Sequence, residues 1–129
     1  IKKNSPLFRG FDDVFYAPHS RATEITASQV EAVPELEIMA VSQEAGVAIV
    51  KSTDSRQFFI TCHPEYDSDT LKLEYERDVD KGLNPLPPVN YFPDDDPSKA
   101  PVVNWRSVGQ LLISNWLNYY VYQSTPYKL

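Results

Sequence analysis

Phe58-Phe59-Ile60-Thr61-Cys62-His63-Pro64-Glu65-Tyr66-Asp67 is the stretch on which the reading of this chain turns. Its first four residues are aromatic or β-branched, the composition of a strand. The run passes directly into a polar segment that carries a histidine and a carboxylate two positions apart, joined by proline. Upstream, Val47-Ala48-Ile49-Val50 is a second β-rich run. The polar residues Ser52-Thr53-Asp54-Ser55-Arg56 between the two runs predict a hairpin. Residues 36–41 predict another strand, followed by a turn at Glu44-Ala45-Gly46. Further upstream, Val14-Phe15-Tyr16-Ala17 is apolar and stops at Pro18. It predicts a strand buried on both faces, as in a parallel sheet. The loop Pro18-His19-Ser20-Arg21 stands at its carboxyl end.

Helices are predicted between and after these runs. One covers residues 28–33, with Thr26 or Ser28 as N-cap and Pro34 as its stop. A second follows Ser68-Asp69-Thr70, where Leu71, Tyr75 and Val79 recur every four residues. Asp67 and Asp69 lie at its start, Lys81 at its end, and Gly82 is the natural residue after the cap. A proline-rich loop spans residues 83–101. The last helix covers residues 105–122, with apolar Val108, Leu111, Leu112, Trp116 and Tyr119 at spacings of three and four. Strands alternating with helices predict an open α/β sheet, whose ligand site lies beyond the carboxyl ends of the strands. His19 and His63 both occupy such loops.

Composition narrows the function. The 129 residues suit one domain, and 42% hydrophobic residues can bury a core. Twelve basic against eighteen acidic residues, a net charge of −6, argue against a broad basic nucleic-acid surface. A single cysteine excludes an intramolecular disulfide and a cysteine-based zinc cluster. No apolar run approaches the ~20 residues of a membrane-spanning helix. Four scattered glycines form no phosphate-binding loop. The start at Ile1, without methionine or a leader-like segment, raises the expectation of a processed or excised fragment.

His63 and Glu65 carry the main chemical signal. A histidine serves as a general base near neutral pH, and a carboxylate on its other ring nitrogen fixes the tautomer and stabilises the imidazolium. A histidine capping a strand end beside an unrelated carboxylate has the same spacing. Cys62 is the one thiol, but neighbours on an extended strand point to opposite faces, so it is expected to face away from His63 and to be buried. The nucleophile for a base at His63 is then expected outside this chain. Arg77, on the following helix, suits either a surface pair with Glu74 or Asp80 or bidentate capture of a substrate carboxylate. Ser20 can hydrogen-bond a ligand from its loop, and His19 and Arg21 have equal claims by chemistry. Asp94-Asp95-Asp96 lacks the ligand spacing of a calcium loop and reads as a solvated acidic loop.

Five groups of residues, in order along nearly the whole chain, resemble the homoserine O-acyltransferases of methionine biosynthesis, succinyltransferases and acetyltransferases alike. They are Arg9-Gly10-Phe11-Asp12-Asp13, then Ala17-Pro18-His19-Ser20-Arg21, then His63-Pro64-Glu65-Tyr66-Asp67, then Glu74-Tyr75-Glu76-Arg77-Asp78. The last comprises Trp105-Arg106-Ser107, residues 115–123 and Thr125-Pro126-Tyr127. The resemblance implies an α/β fold of the class I glutamine amidotransferase-like, flavodoxin-like type, a three-layer sandwich of which residues 1–129 are the C-terminal half. It implies that His63 is the proton-accepting catalytic histidine and Glu65 its triad partner. Arg77 matches the arginine that binds the substrate carboxylate, and Ser20 a substrate-contacting serine. The family's nucleophilic cysteine and a substrate-contacting lysine belong to an earlier segment not in this sequence.

The implied mechanism is a two-step transfer. A cysteine takes the acyl group from acyl-CoA as a thioester, and the homoserine hydroxyl, deprotonated by His63, attacks it. The implied partners are homoserine and acyl-CoA as co-substrate, with no separate cofactor and no metal, in a cytoplasmic homodimer that contacts neither nucleic acid nor membrane. This chain alone is expected to be inactive. The sequence departs from the family pattern at Cys62, where glycine is usual, and at Val108 and Gln110, where a histidine and an asparagine often flank Gly109. Two other readings stay open: a glutaminase or thiol hydrolase of the same fold using the same pair, and a non-catalytic association module built on the aromatic C-terminal helix.

Overall fold

A computed structural model describes residues 1–126; Tyr127, part of the last of the stretches above, lies outside the described residues. The fold is α/β, with a three-stranded antiparallel sheet in the order β1 (Leu36–Ser42), β2 (Gly46–Ser52), β3 (Phe58–Ile60). Residues 43–45 join β1 to β2, and residues 53–57 join β2 to β3. Such short links make hairpins, whereas a parallel pair needs a crossover of roughly a dozen residues or more. Gly46 sits at φ 71°, a left-handed conformation that glycine adopts without a Cβ penalty, and closes the first turn. In the second turn the Ser52 hydroxyl accepts from the backbone N–H groups of Arg56 and Gln57. A bulge near Met39 shifts the β1–β2 register and turns that side chain into the core.

The expected parallel strand at residues 14–17 is not formed. The segment has irregular backbone, and its side chains alternate: Val14 and Tyr16 are exposed, while Phe15 and Ala17 pack inward. A strand exists only by pairing, and the three strands form their meander without it. Phe15 instead closes an aromatic cluster with Phe8 and Phe11, edge-on to Phe11 at 5.3 Å between centroids.

The helices follow their predicted signals closely. Thr26 caps α1 (Ala27–Glu31) in a reciprocal capping box with Gln29. In α2 (Thr70–Asp80) only the N-terminal part of the Leu71, Tyr75, Val79 stripe is covered. Leu71 packs with Tyr91, Phe92 and Trp105, whereas Val79 is exposed. Arg106–Trp116 is α3, continued by a π-helical turn at Leu117–Val121. The inner face of α3 carries Gly109, Leu112 and Asn115. Buried Asn115 donates from Nδ2 to the carbonyl oxygens of Leu7 and Arg9, both at 2.9 Å, and so ties α3 to the N-terminal segment. The main core lies between α3, the sheet and the N-terminal turn, and includes Leu7, Phe8, Met39, Ile49, Cys62 and Leu112. No helix among the described residues is long and apolar enough to cross a membrane.

Candidate active site

The chain leaves β3 by one more ladder bond, from the Thr61 N–H to Ala48 O at 2.9 Å. Cys62 then turns into the core, 3% exposed, and burial pushes its thiol pKa up to about 11. At the next residue the partner changes. The His63 N–H donates to Pro18 O at 2.7 Å, so the strand end is pinned to the Pro18-His19-Ser20-Arg21 loop. Arg21 fixes that loop in turn by donating to Val47 O and to Thr61 Oγ1. Alternation along the strand therefore sends Cys62 inward and leaves the half-buried His63 ring on the outside, as the sequence predicts.

His63 Nδ1 and Glu65 Oε1 lie 2.9 Å apart. Pro64 and the turn closed by the Tyr66 N–H on His63 O, at 3.1 Å, bring the two side chains together over a two-residue spacing. In the tautomer whose Nδ1–H donates to the carboxylate, the lone pair of a neutral imidazole is on Nε2, the arrangement of a general base. His63 and Glu65 border a cleft of about 840 Å³, whose lining also includes Gly109 and Gln110 of α3. A Cβ on Gly109 would stand 2.7 Å from Pro64 O, so only glycine lets α3 approach the His63–Glu65 turn this closely.

Tyr66 joins this pair to α2. Its ring lies on the His63 imidazole, with centroids 4.5 Å apart and planes at 16°. Its hydroxyl donates to Glu74 Oε1 at 3.0 Å, and its carbonyl accepts from Trp105 Nε1 at 2.9 Å. Burial is the main cause that raises the Tyr66 pKa, helped by the hydrogen bond to the Glu74 carboxylate, while the Ser20 hydroxyl acts the other way. Ser20 makes no hydrogen bond to His63, Glu65 or Tyr66 within ordinary hydrogen-bond geometry; its hydroxyl acts on the site only through its effect on the Tyr66 phenol. Glu74 Oε2 is buried and has no hydrogen-bond partner among the described residues. His19 has its pKa lowered, by burial first and then by the charges of Arg21 and His63.

Arg77 stands one turn beyond Glu74 on α2. Its guanidinium is exposed and donates from Nε to Asp78 Oδ1 at 2.8 Å, not to Glu74 or Asp80 as the spacing had suggested. The structure therefore brings His63 and Glu65 together and brings the loop that carries Ser20 beside them through the His63 N–H bond to Pro18 O. Arg77 is left on the neighbouring helix, with Asp78 as its hydrogen-bond partner. Tyr66, Glu74, Trp105 and Gly109 were not marked by sequence reasoning as parts of the site. The i, i+3 spacing of Glu74 and Arg77, which places both on one helix face, was the available signal for the first helix contact.

Comparison with known proteins agrees over the whole chain. It is similar to the homoserine O-acetyltransferases of Acetivibrio thermocellus, 61% identical over 128 residues, and Brevibacillus brevis, 59% identical over 128 residues. The corresponding protein of Methanomethylophilus alvi is 57% identical over 129 residues. These matches cover 99–100% of this chain, which spans 42% of the length of each relative. Residues 1–127 match the family model described as homoserine O-succinyltransferase. On that match, and with the His63–Glu65 pair formed, the chain belongs to the homoserine O-succinyltransferase family.

Proposed function

We propose that residues 1–129 are the C-terminal part of a homoserine O-acyltransferase catalytic domain, with the glutamine amidotransferase-like fold. The observation that carries this is the 2.9 Å contact between His63 Nδ1 and Glu65 Oε1 at a strand end, within a chain the family model matches. Glu65 holds the Nδ1 proton, so Nε2 is free to accept the proton of the homoserine hydroxyl. The hydroxyl oxygen attacks the carbonyl of an acyl-thioester, and the cysteine thiolate leaves as the O-acyl ester forms. That cysteine is supplied by a segment of the whole protein outside this sequence, because Cys62 is buried and its thiol is held in the protonated form.

Arg77 captures the substrate carboxylate by exchanging Asp78 for it, and Ser20 contacts the substrate from the facing loop. The acyl donor is acyl-CoA, and the names of the relatives favour acetyl-CoA over succinyl-CoA. The whole protein is a cytoplasmic homodimer that works without a further cofactor. The test is homoserine acylation by the full-length protein with acetyl-CoA and succinyl-CoA in parallel, beside glutamine hydrolysis as the competing chemistry. His63→Ala is expected to abolish acyl transfer, and Glu65→Gln to lower kcat by roughly 10²–10⁴-fold through loss of the charge behind the imidazole. Undiminished transfer by His63→Ala would sink the assignment and favour an association role.

A further inference from the structure

Tyr66 is tied both to His63 and to the elements behind it. Its ring covers one face of the His63 imidazole at 4.5 Å, nearly parallel. Its backbone is held at both ends, by the N–H bond to His63 O at 3.1 Å and by the Trp105 indole on its carbonyl at 2.9 Å. The ring is therefore a fixed plate, not a side chain resting on its neighbour. An imidazole pressed against such a plate and tied at Nδ1 to Glu65 loses both its ring flip and its swing about χ1, which leaves one direction for Nε2.

The other end of the same side chain reaches α2. The Tyr66 hydroxyl donates to Glu74 Oε1 at 3.0 Å, and the second oxygen of that carboxylate is buried without a partner among the described residues. A half-buried carboxylate with one buried, unpartnered oxygen and one donor on the other depends heavily on that donor for its position. Arg77 lies one turn further along the same helix face, so the hydroxyl sets the placement of the face that carries it.

Resting on the acyltransferase reading above, we propose that Tyr66 is a positioning residue with two separable tasks: its ring orients the His63 imidazole, and its hydroxyl holds the Glu74 side of α2 where Arg77 meets the substrate. The ring acts on the chemical step and the hydroxyl on substrate binding.

The experiment is steady-state homoserine acylation by the full-length protein carrying Tyr66→Phe or Tyr66→Leu, with His63→Ala alongside. Tyr66→Phe keeps the stack and removes only the hydroxyl. It is expected to raise KM for homoserine at least fivefold while kcat stays within about threefold of the parent. Tyr66→Leu removes the plate as well and is expected to lower kcat at least 30-fold. A phenylalanine variant with unchanged KM overturns the proposal, and does so even if the leucine variant fails to fold. A folded leucine variant with the parent kcat also overturns it. If His63→Ala is inactive while both Tyr66 variants behave as the parent, only this proposal fails. If His63→Ala is fully active, the acyltransferase reading fails with it.

Discussion

Gly109→Ala adds one methyl group, and the structure says where it goes. The new Cβ would lie 2.7 Å from Pro64 O, 3.1 Å from Pro64 Cβ and 3.3 Å from Pro64 C. Two of these atoms are backbone, so no rotamer change relieves the contact. Restoring an ordinary separation of about 3.4 Å requires α3 and the His63–Glu65 turn to part by roughly 0.7 Å. In an exposed helix the same substitution stabilises by about 1 kcal/mol, because alanine loses less backbone entropy than glycine. Here overpacking costs about 1–3 kcal/mol, which at least offsets that gain and leaves a net loss of up to about 2 kcal/mol.

The kinetic effect should be larger than the stability effect. Pro64 lies between His63, the proposed base, and Glu65, so the displacement falls on both. A misplacement approaching 1 Å costs up to about 10²-fold in rate, and roughly 10-fold or more is expected here. The assays are urea unfolding and homoserine acylation by the full-length protein. Ser107→Ala, an exposed substitution on the same helix, serves as the control and is expected to change neither. An alanine variant at position 109 with parental kcat and equal or greater stability would refute the idea that α3 seats the catalytic turn.

Three further outcomes follow from the same geometry. With its pKa pushed up to about 11, Cys62 is about one part in a thousand thiolate at pH 8, so its labelling by a disulfide reagent should be at least 100-fold slower in the folded protein than in urea, and Cys62→Ala should retain acyl transfer. Asn115→Ala leaves Leu7 O and Arg9 O without their donor and opens a small cavity, so urea titration should show a loss of about 2–4 kcal/mol. The Glu37 carboxylate is held below its usual 4.5 by hydrogen bonds from Lys2 and then Lys51. A lowered carboxylate pKa contributes stability that is fully present above the unfolded value and is lost as pH falls through the folded one. Acid titration of unfolding should therefore show a decline below pH 4.5 that Glu37→Gln makes shallower.

Much of the fold was legible because its causes are local. The hairpin turns, the Thr26 capping box and the start of α2 depend on residues within a few positions of one another, and each formed near its predicted place. The His63–Glu65 pair belongs to the same class, since a two-residue spacing across a proline turn leaves the side chains few other arrangements. Residues 14–17 show the limit. An apolar run specifies that something will cover it, but pairing partners are not local, and here an aromatic cluster takes Phe15 while Val14 and Tyr16 remain exposed.

Arg77 shows the limit from the other side. Spacing offers Glu74 and Asp80 as partners one turn away, yet the adjacent Asp78 is the one in reach. Taken by itself, then, the sequence determined the two hairpins, the helix segments and the inward turn of Cys62, and offered the pairing of His63 with Glu65, all from contacts close along the chain. Only the tertiary structure decided that Pro18 receives the His63 amide, that Gly109 admits α3 against Pro64, and that Tyr66 bridges the imidazole to Glu74. Apart from the last link, which spans two turns and a helix start, these contacts join residues more than forty positions apart, where helical or strand periodicity carries no information and packing of whole elements chooses the partner.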